Sequence, residues 1–121
     1  MKKVMIVDDE ASVRTSAKMV LESEGYKVSE AESADKCWED LSKGKIPDLI
    51  LLDVMMPGMR PVDLLKKIGA DKKLGKIPVI YFSAVMGINE ASQDVKGIVD
   101  SIEKPFKNEE LVAKVKKALK S

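Results

Sequence analysis

Asp53 is the residue on which a chemical reading of this chain turns. It closes the apolar run Asp48-Leu49-Ile50-Leu51-Leu52-Asp53 and is followed by Val54-Met55-Met56-Pro57-Gly58. A carboxylate at the exit of a buried strand, just ahead of a Pro-Gly turn, stands where reactive groups belong in an open α/β sheet. A second apolar run, Val4-Met5-Ile6-Val7, ends in Asp8-Asp9-Glu10. Two later runs end in the hydroxyl of Ser83 and the ammonium of Lys104. Asp8, Asp9 and Asp53 held together would repel one another, so protonation or a cation must relieve them. An all-oxygen set of this kind suits Mg²⁺. With the cluster neutralised, Asp53 is the candidate nucleophile for in-line attack on a phosphoryl group. Lys104 would add positive charge, and Ser83 a hydrogen bond, for the phosphoryl oxygens. Each residue alone has an ordinary explanation: a helix cap for Asp8-Asp9, a turn acid for Asp53, a strand-end serine for Ser83, a solvated lysine for Lys104. Their joint occurrence at four strand exits is what those explanations leave unaccounted for.

The elements that must position these residues alternate from end to end. Strands are expected at Val4–Val7, Tyr26–Ala31, Asp48–Asp53, Pro78–Ala84 and Val99–Glu103. Ala11–Glu24 reads as a helix with Val13, Ala17, Val20 and Leu21 on its apolar face, stopped by Gly25. Ser33 is placed to cap a helix over Ala34–Lys43 with Cys37, Trp38 and Leu41 inward. Pro61 opens a helix to about Ile68. A short helix is expected near Asn89–Lys96. Asn108 is expected to cap the last helix, with Glu109 and Glu110 in its first turn and lysines in its last. Met5, Met19, Met55, Met56, Met59 and Met86 read as packing residues. Strand–helix–strand order implies parallel pairing with right-handed crossovers. The expected fold is therefore α/β: a doubly wound, five-stranded parallel sheet flanked by five helices, as a single domain over residues 1–121. All strand exits then share one edge, and Asp8, Asp9, Asp53, Ser83 and Lys104 converge there.

Composition removes several alternatives. Basic residues number 21 and acidic 20, for a net charge of +1, so no DNA binding is expected. Lys114, Lys116, Lys117 and Lys120 are the one basic stripe, and a helix's last turn favours lysines in any case. Cys37 is the single cysteine, which fits a reducing compartment. No run approaches the ~18 apolar residues of a membrane span, and the four residues behind Met1-Lys2-Lys3 are too short for a secretory h-region. The expected location is cytoplasmic. With no histidine, the chain has no histidine-based catalysis and cannot itself carry a phosphohistidine.

Over essentially its whole length the chain resembles the receiver domain of two-component response regulators. The motifs that carry the resemblance are Val7-Asp8-Asp9-Glu10, Asp53-Val54-Met55-Met56-Pro57-Gly58, Ser83-Ala84 and Lys104-Pro105-Phe106. It implies the CheY-like, flavodoxin-like strand order 2-1-3-4-5. It implies that Asp53 accepts phosphate from a sensor histidine kinase or phosphotransfer protein. Mg²⁺ would be held by Asp9, by Asp8 through water, by Asp53 and by the Met55 carbonyl, with Ser83 as switch hydroxyl and Lys104 on the phosphoryl group. A cis Lys104–Pro105 peptide is implied as well. The resemblance further implies no enzyme activity beyond self-phosphorylation from a donor and self-dephosphorylation. Output would come through docking to a protein target, as a monomer or weak dimer, with no output domain of its own. Ser101 stands where relatives carry an aromatic switch residue, the segment between Ser83 and Lys104 is about one residue short, and Arg60-Pro61 replaces the usual Asp-Gly. Met55 and Val85, at the positions that influence hydrolysis in relatives, are apolar, which implies a long-lived aspartyl phosphate. The competing readings are a receiver-like scaffold that is never phosphorylated, an aspartyl-phosphate phosphatase and an FMN module. Met55, where a phosphatase needs a second Asp, opposes the phosphatase reading. The acids of the first loop would repel the phosphate of FMN.

Overall fold

The structure, a computed structural model, describes residues 2–54, 58–83 and 98–119. Five strands, β1 (Lys3–Val7), β2 (Lys27–Ala31), β3 (Leu49–Asp53), β4 (Val79–Ser83) and β5 (Ile98–Glu103), form one sheet in the order β2-β1-β3-β4-β5. Every pairing is parallel. The described residues hold four α-helices rather than the five expected: α1 (Ala11–Ser23), α2 (Ala34–Ser42), α3 (Pro61–Ala70) and α4 (Asn108–Leu119). The helix expected near Asn89–Lys96 lies outside the described residues. None of the described helices is long and apolar enough to cross a membrane.

Two apolar layers sandwich the sheet, and strand periodicity sorts residues between them. Met5, Val7, Ile50, Leu52, Val79 and Tyr81 face α2 and α3, where Cys37, Leu41, Leu64 and Ile68 meet them. Val4, Ile6, Leu49, Leu51, Ile80, Phe82 and Ile102 face Ala17 and Leu21 of α1 and Leu111 and Val115 of α4. β3 is buried throughout, as a central strand covered on both faces must be. β2, at the edge, lacks clean alternation: only Ala31 is fully buried. Met19 is another correction, since it is 66% exposed on α1 and belongs to neither apolar layer.

Local chemistry explains most element ends. The Ser33 side chain accepts a hydrogen bond from the Lys36 amide at 3.0 Å, capping α2 as expected. α1 stops at Ser23, and Gly25 supplies the left-handed turn that follows, at φ +91°. α4 begins at Asn108 itself, one residue earlier than a cap at that position would allow. A 3₁₀ turn at Leu74–Lys76, absent from the expectations, is set up by the Asp71 carboxylate, which accepts from the Lys73 and Leu74 amides.

Candidate functional site

The same periodicity delivers the site. Val4 and Ile6 face the α1/α4 layer, and Asp8 follows them by two residues. Leu49 and Leu51 face that layer too, and Asp53 follows. β5 reaches it by a change of phase. Ile98 packs in the α2/α3 layer, yet Ile102, four residues on, packs in the other. Between them the register slips by one residue: Ile98 pairs with Val79 but Asp100 with Ile80, and Val99 is left 56% exposed. A one-residue slip moves every later side chain to the opposite face. Without it, Lys104 would leave β5 toward the wrong side of the sheet.

Lys104 unites the two buried acids. Its Nζ lies 2.5 Å from Asp8 Oδ2 and 3.4 Å from Asp53 Oδ2. The Asp8, Asp53 and Lys104 side chains are only 0%, 3% and 12% exposed. Charges this secluded require partners, and each carboxylate has the same ammonium as one of its own. The other Asp8 oxygen, Oδ1, accepts from the Glu10 amide at 2.9 Å. The Asp8 carbonyl accepts from Arg14 Nη1 at 2.6 Å, and Arg14 Nε donates to Glu30 at 3.2 Å. The loop after β1 is thus held to α1 and β2. Lys104 also stands 5.1 Å from the centroid of the Phe82 ring, and the Lys104–Pro105 peptide is cis.

Asp8, Asp9 and Glu10 each present a carboxylate oxygen, all within 4.8 Å of one another. Asp8 is buried, and Asp9 and Glu10 are exposed to incoming solute. Hard oxygen donors at this spacing fit Mg²⁺ or a similar divalent cation. Glu10 was not among the expected ligands; its acidity was legible, but its approach to Asp8 depends on the turn. Arg14 and Phe82 were missed as well, since only the folded sheet edge brings them to Asp8 and Lys104. The backbone of Ser83 ends β4 opposite Glu103. Met55 lies outside the described residues. Ser101 is half-buried on β5, where its carbonyl accepts from Lys114 Nζ of α4.

A sequence model of the response regulator receiver domain matches residues 4–116. The chain belongs to the response regulator receiver family. It is 38% identical over 120 residues to the phosphate regulon transcriptional regulatory protein PhoB of Pseudomonas aeruginosa, covering 98% of this chain and 52% of that protein. It is 34% identical over 119 residues to the chemotaxis protein CheY1 of Helicobacter pylori, covering 97% and 96%. This receiver therefore spans about half the length of PhoB and nearly all of CheY1. Among solved structures, the chemotaxis response regulator CheY4 of Vibrio cholerae superposes with a TM-score of 0.89 at 25% identity, covering 98% of this chain and 99% of that one. The response regulator TrrA of Thermotoga maritima, solved in complex with Mg²⁺ and BeF, superposes with a TM-score of 0.85 at 30% identity, covering 98% and 100%.

Proposed function

We propose that this receiver accepts a phosphoryl group on Asp53 in a Mg²⁺-dependent reaction, taking it from a histidine kinase or phosphotransfer protein, and signals by altered docking to a partner. The observation that carries the reading is the Lys104 ammonium held between Asp8 and Asp53 at the buried sheet edge. An Asp53 oxygen attacks phosphorus, the bond from phosphorus to the donor breaks, and the donor leaves with that electron pair. The product is an acyl phosphate, whose added charge of about −1 stands beside Lys104. Lys104, already 3.4 Å from Asp53, exchanges its carboxylate contact for a phosphoryl oxygen.

Asp8 and Asp9, with Asp53 and the Met55 carbonyl, are the proposed Mg²⁺ ligands, and Glu10 adds a further oxygen within reach. When bound, Mg²⁺ neutralises the acids and binds phosphoryl oxygens. The TrrA complex with Mg²⁺ and BeF supports this assignment by likeness. Ser83 is the proposed hydroxyl donor to the phosphoryl group. Relatives named as transcriptional regulators and as a chemotaxis protein support a role in signal output, and a cytoplasmic location fits it. Apolar Met55 and Val85 are expected to slow hydrolysis of the product.

Backbone NMR tests the proposal. Mg²⁺ with acetyl phosphate or beryllofluoride should shift amides around Asp8, Asp53, Ser83 and Lys104. Asp53→Asn should abolish the response to both reagents. Shifts beyond those of Mg²⁺ alone that survive in Asp53→Asn would reject the assignment.

A further inference from the structure

The Lys104 ammonium rests over the face of Phe82, 5.1 Å from the ring centroid. Phe82 is fully buried. Phe106 braces it, with ring centroids 5.3 Å apart and planes at 56°. The sheet fixes the ring beside the acids, because Phe82 pairs with Asp53 on one flank and Ile102 on the other. A lysine whose side chain is 12% exposed has given up most of its hydration. The negative face of an aromatic ring restores part of that loss, and more so at a desolvated site than at an open one. Packing alone does not call for a ring here. Leu51, Ile80 and Ile102 fill the same layer with aliphatic side chains.

We propose that Phe82 is a positioning residue for Lys104: the ring's quadrupole, beyond its bulk, holds the ammonium where it reaches Asp8 and Asp53 together. The phosphorylation arm of its test rests on the proposed role of Asp53; the placement of Lys104 does not. The ring attracts the cation without offering a competing acceptor. Lys104 therefore remains available to a new phosphoryl oxygen while being kept out of water. In this role Phe82 acts through Lys104.

Fluorinated phenylalanines separate charge from shape. Fluorination withdraws electron density from the ring face while nearly preserving its size. Phe, 4-fluoro-Phe, 3,5-difluoro-Phe and pentafluoro-Phe are placed at position 82 of the full chain, with the same series at Phe106 as control, and urea melts confirm folding. Two readouts are taken: the acetylation rate of Lys104 by acetic anhydride, followed by mass spectrometry, and the phosphorylation rate with acetyl phosphate at saturating Mg²⁺. Along the series at 82, Lys104 acetylation should rise stepwise, by roughly three- to tenfold at pentafluoro-Phe, and phosphorylation should fall by a similar factor. The series at 106 should be flat in both. Acetylation of Lys104 that does not change across folded variants at 82 overturns the proposal, and so does an equal trend at 106. Rising acetylation in a protein that takes up no phosphate upholds the aromatic seat and refutes the role of Asp53 instead.

Discussion

Replacing Lys104 by Met should destabilise the fold by ~3–5 kcal/mol, the usual cost of removing one partner from a buried ion pair. The magnitude follows from where the remaining charges sit. The Asp8 side chain is 0% exposed, and its Oδ2 has Lys104 as hydrogen-bond partner at 2.5 Å. In the variant that oxygen loses its donor, and only Oδ1 keeps one, the Glu10 amide. Asp53, 3% exposed, loses the same cation. Met preserves most of the apolar stem, so little of the loss comes from packing. Against a typical domain stability of roughly 5–15 kcal/mol, urea unfolding with Mg²⁺ chelated would register such a loss as a large shift in midpoint. A double-mutant cycle isolates its source. In an Asp8→Asn background, where the amide oxygen still accepts from Glu10, the cost of Lys104→Met should fall by ~2 kcal/mol or more. Mg²⁺ should then stabilise Lys104→Met more than the parent, because a bound cation supplies the missing charge. A cost below ~0.5 kcal/mol, or the same cost in both backgrounds, would refute the electrostatic reasoning.

Three further outcomes are expected. Gly58 has φ +88°, and a Cβ there would lie 3.0 Å from Asp35 Oδ2, whereas one on Gly25 meets nothing within 4 Å. Gly58→Ala should therefore cost more than Gly25→Ala in urea melts, by ~0.5–1 kcal/mol, and the excess should vanish when Asp35 is also changed to Ala. Burial raises the Cys37 thiol from 9.0 to about 12, with Asp40 adding to the effect. The thiolate is thus disfavoured in the fold, so the stabilisation is complete below pH 9 and is lost as pH climbs toward 12. Stability should fall by up to ~1.4 kcal/mol per pH unit across that window, and Cys37→Ala should flatten the slope. Ser33→Ala removes the cap on α2 and should cost ~1 kcal/mol by thermal or urea unfolding, while Ser33→Asp should be close to neutral.

Much of this molecule was legible because its strands end in chemistry. Asp8 and Asp53 each end an apolar run and Lys104 follows a mixed strand, and parallel order alone predicts that such exits share an edge. The cap at Ser33 and the stop at Gly25 are set by local chemistry and are legible from sequence alone. What required the folded chain was tertiary. β2 lacks alternation because, at the sheet's edge, each helix layer reaches only part of it: Val28 packs on the α1/α4 side and Ala31 on the α2/α3 side. Met19 is apolar by type, yet its position on α1 turns it to solvent. The slip in β5 leaves no mark in the composition of Ile98–Glu103, although it decides the face on which Lys104 emerges. Glu10, Arg14 and Phe82 belong to the site through contacts that cross between elements, and no spacing announces those.

The most direct test of the central claim is intact-mass spectrometry of the chain incubated with Mg²⁺ and acetyl phosphate, followed by borohydride reduction and peptide mapping. The account predicts a single phosphoryl adduct that requires Mg²⁺, maps to Asp53 and is missing from Asp53→Asn. An adduct at another residue, or no adduct on folded protein, would contradict it.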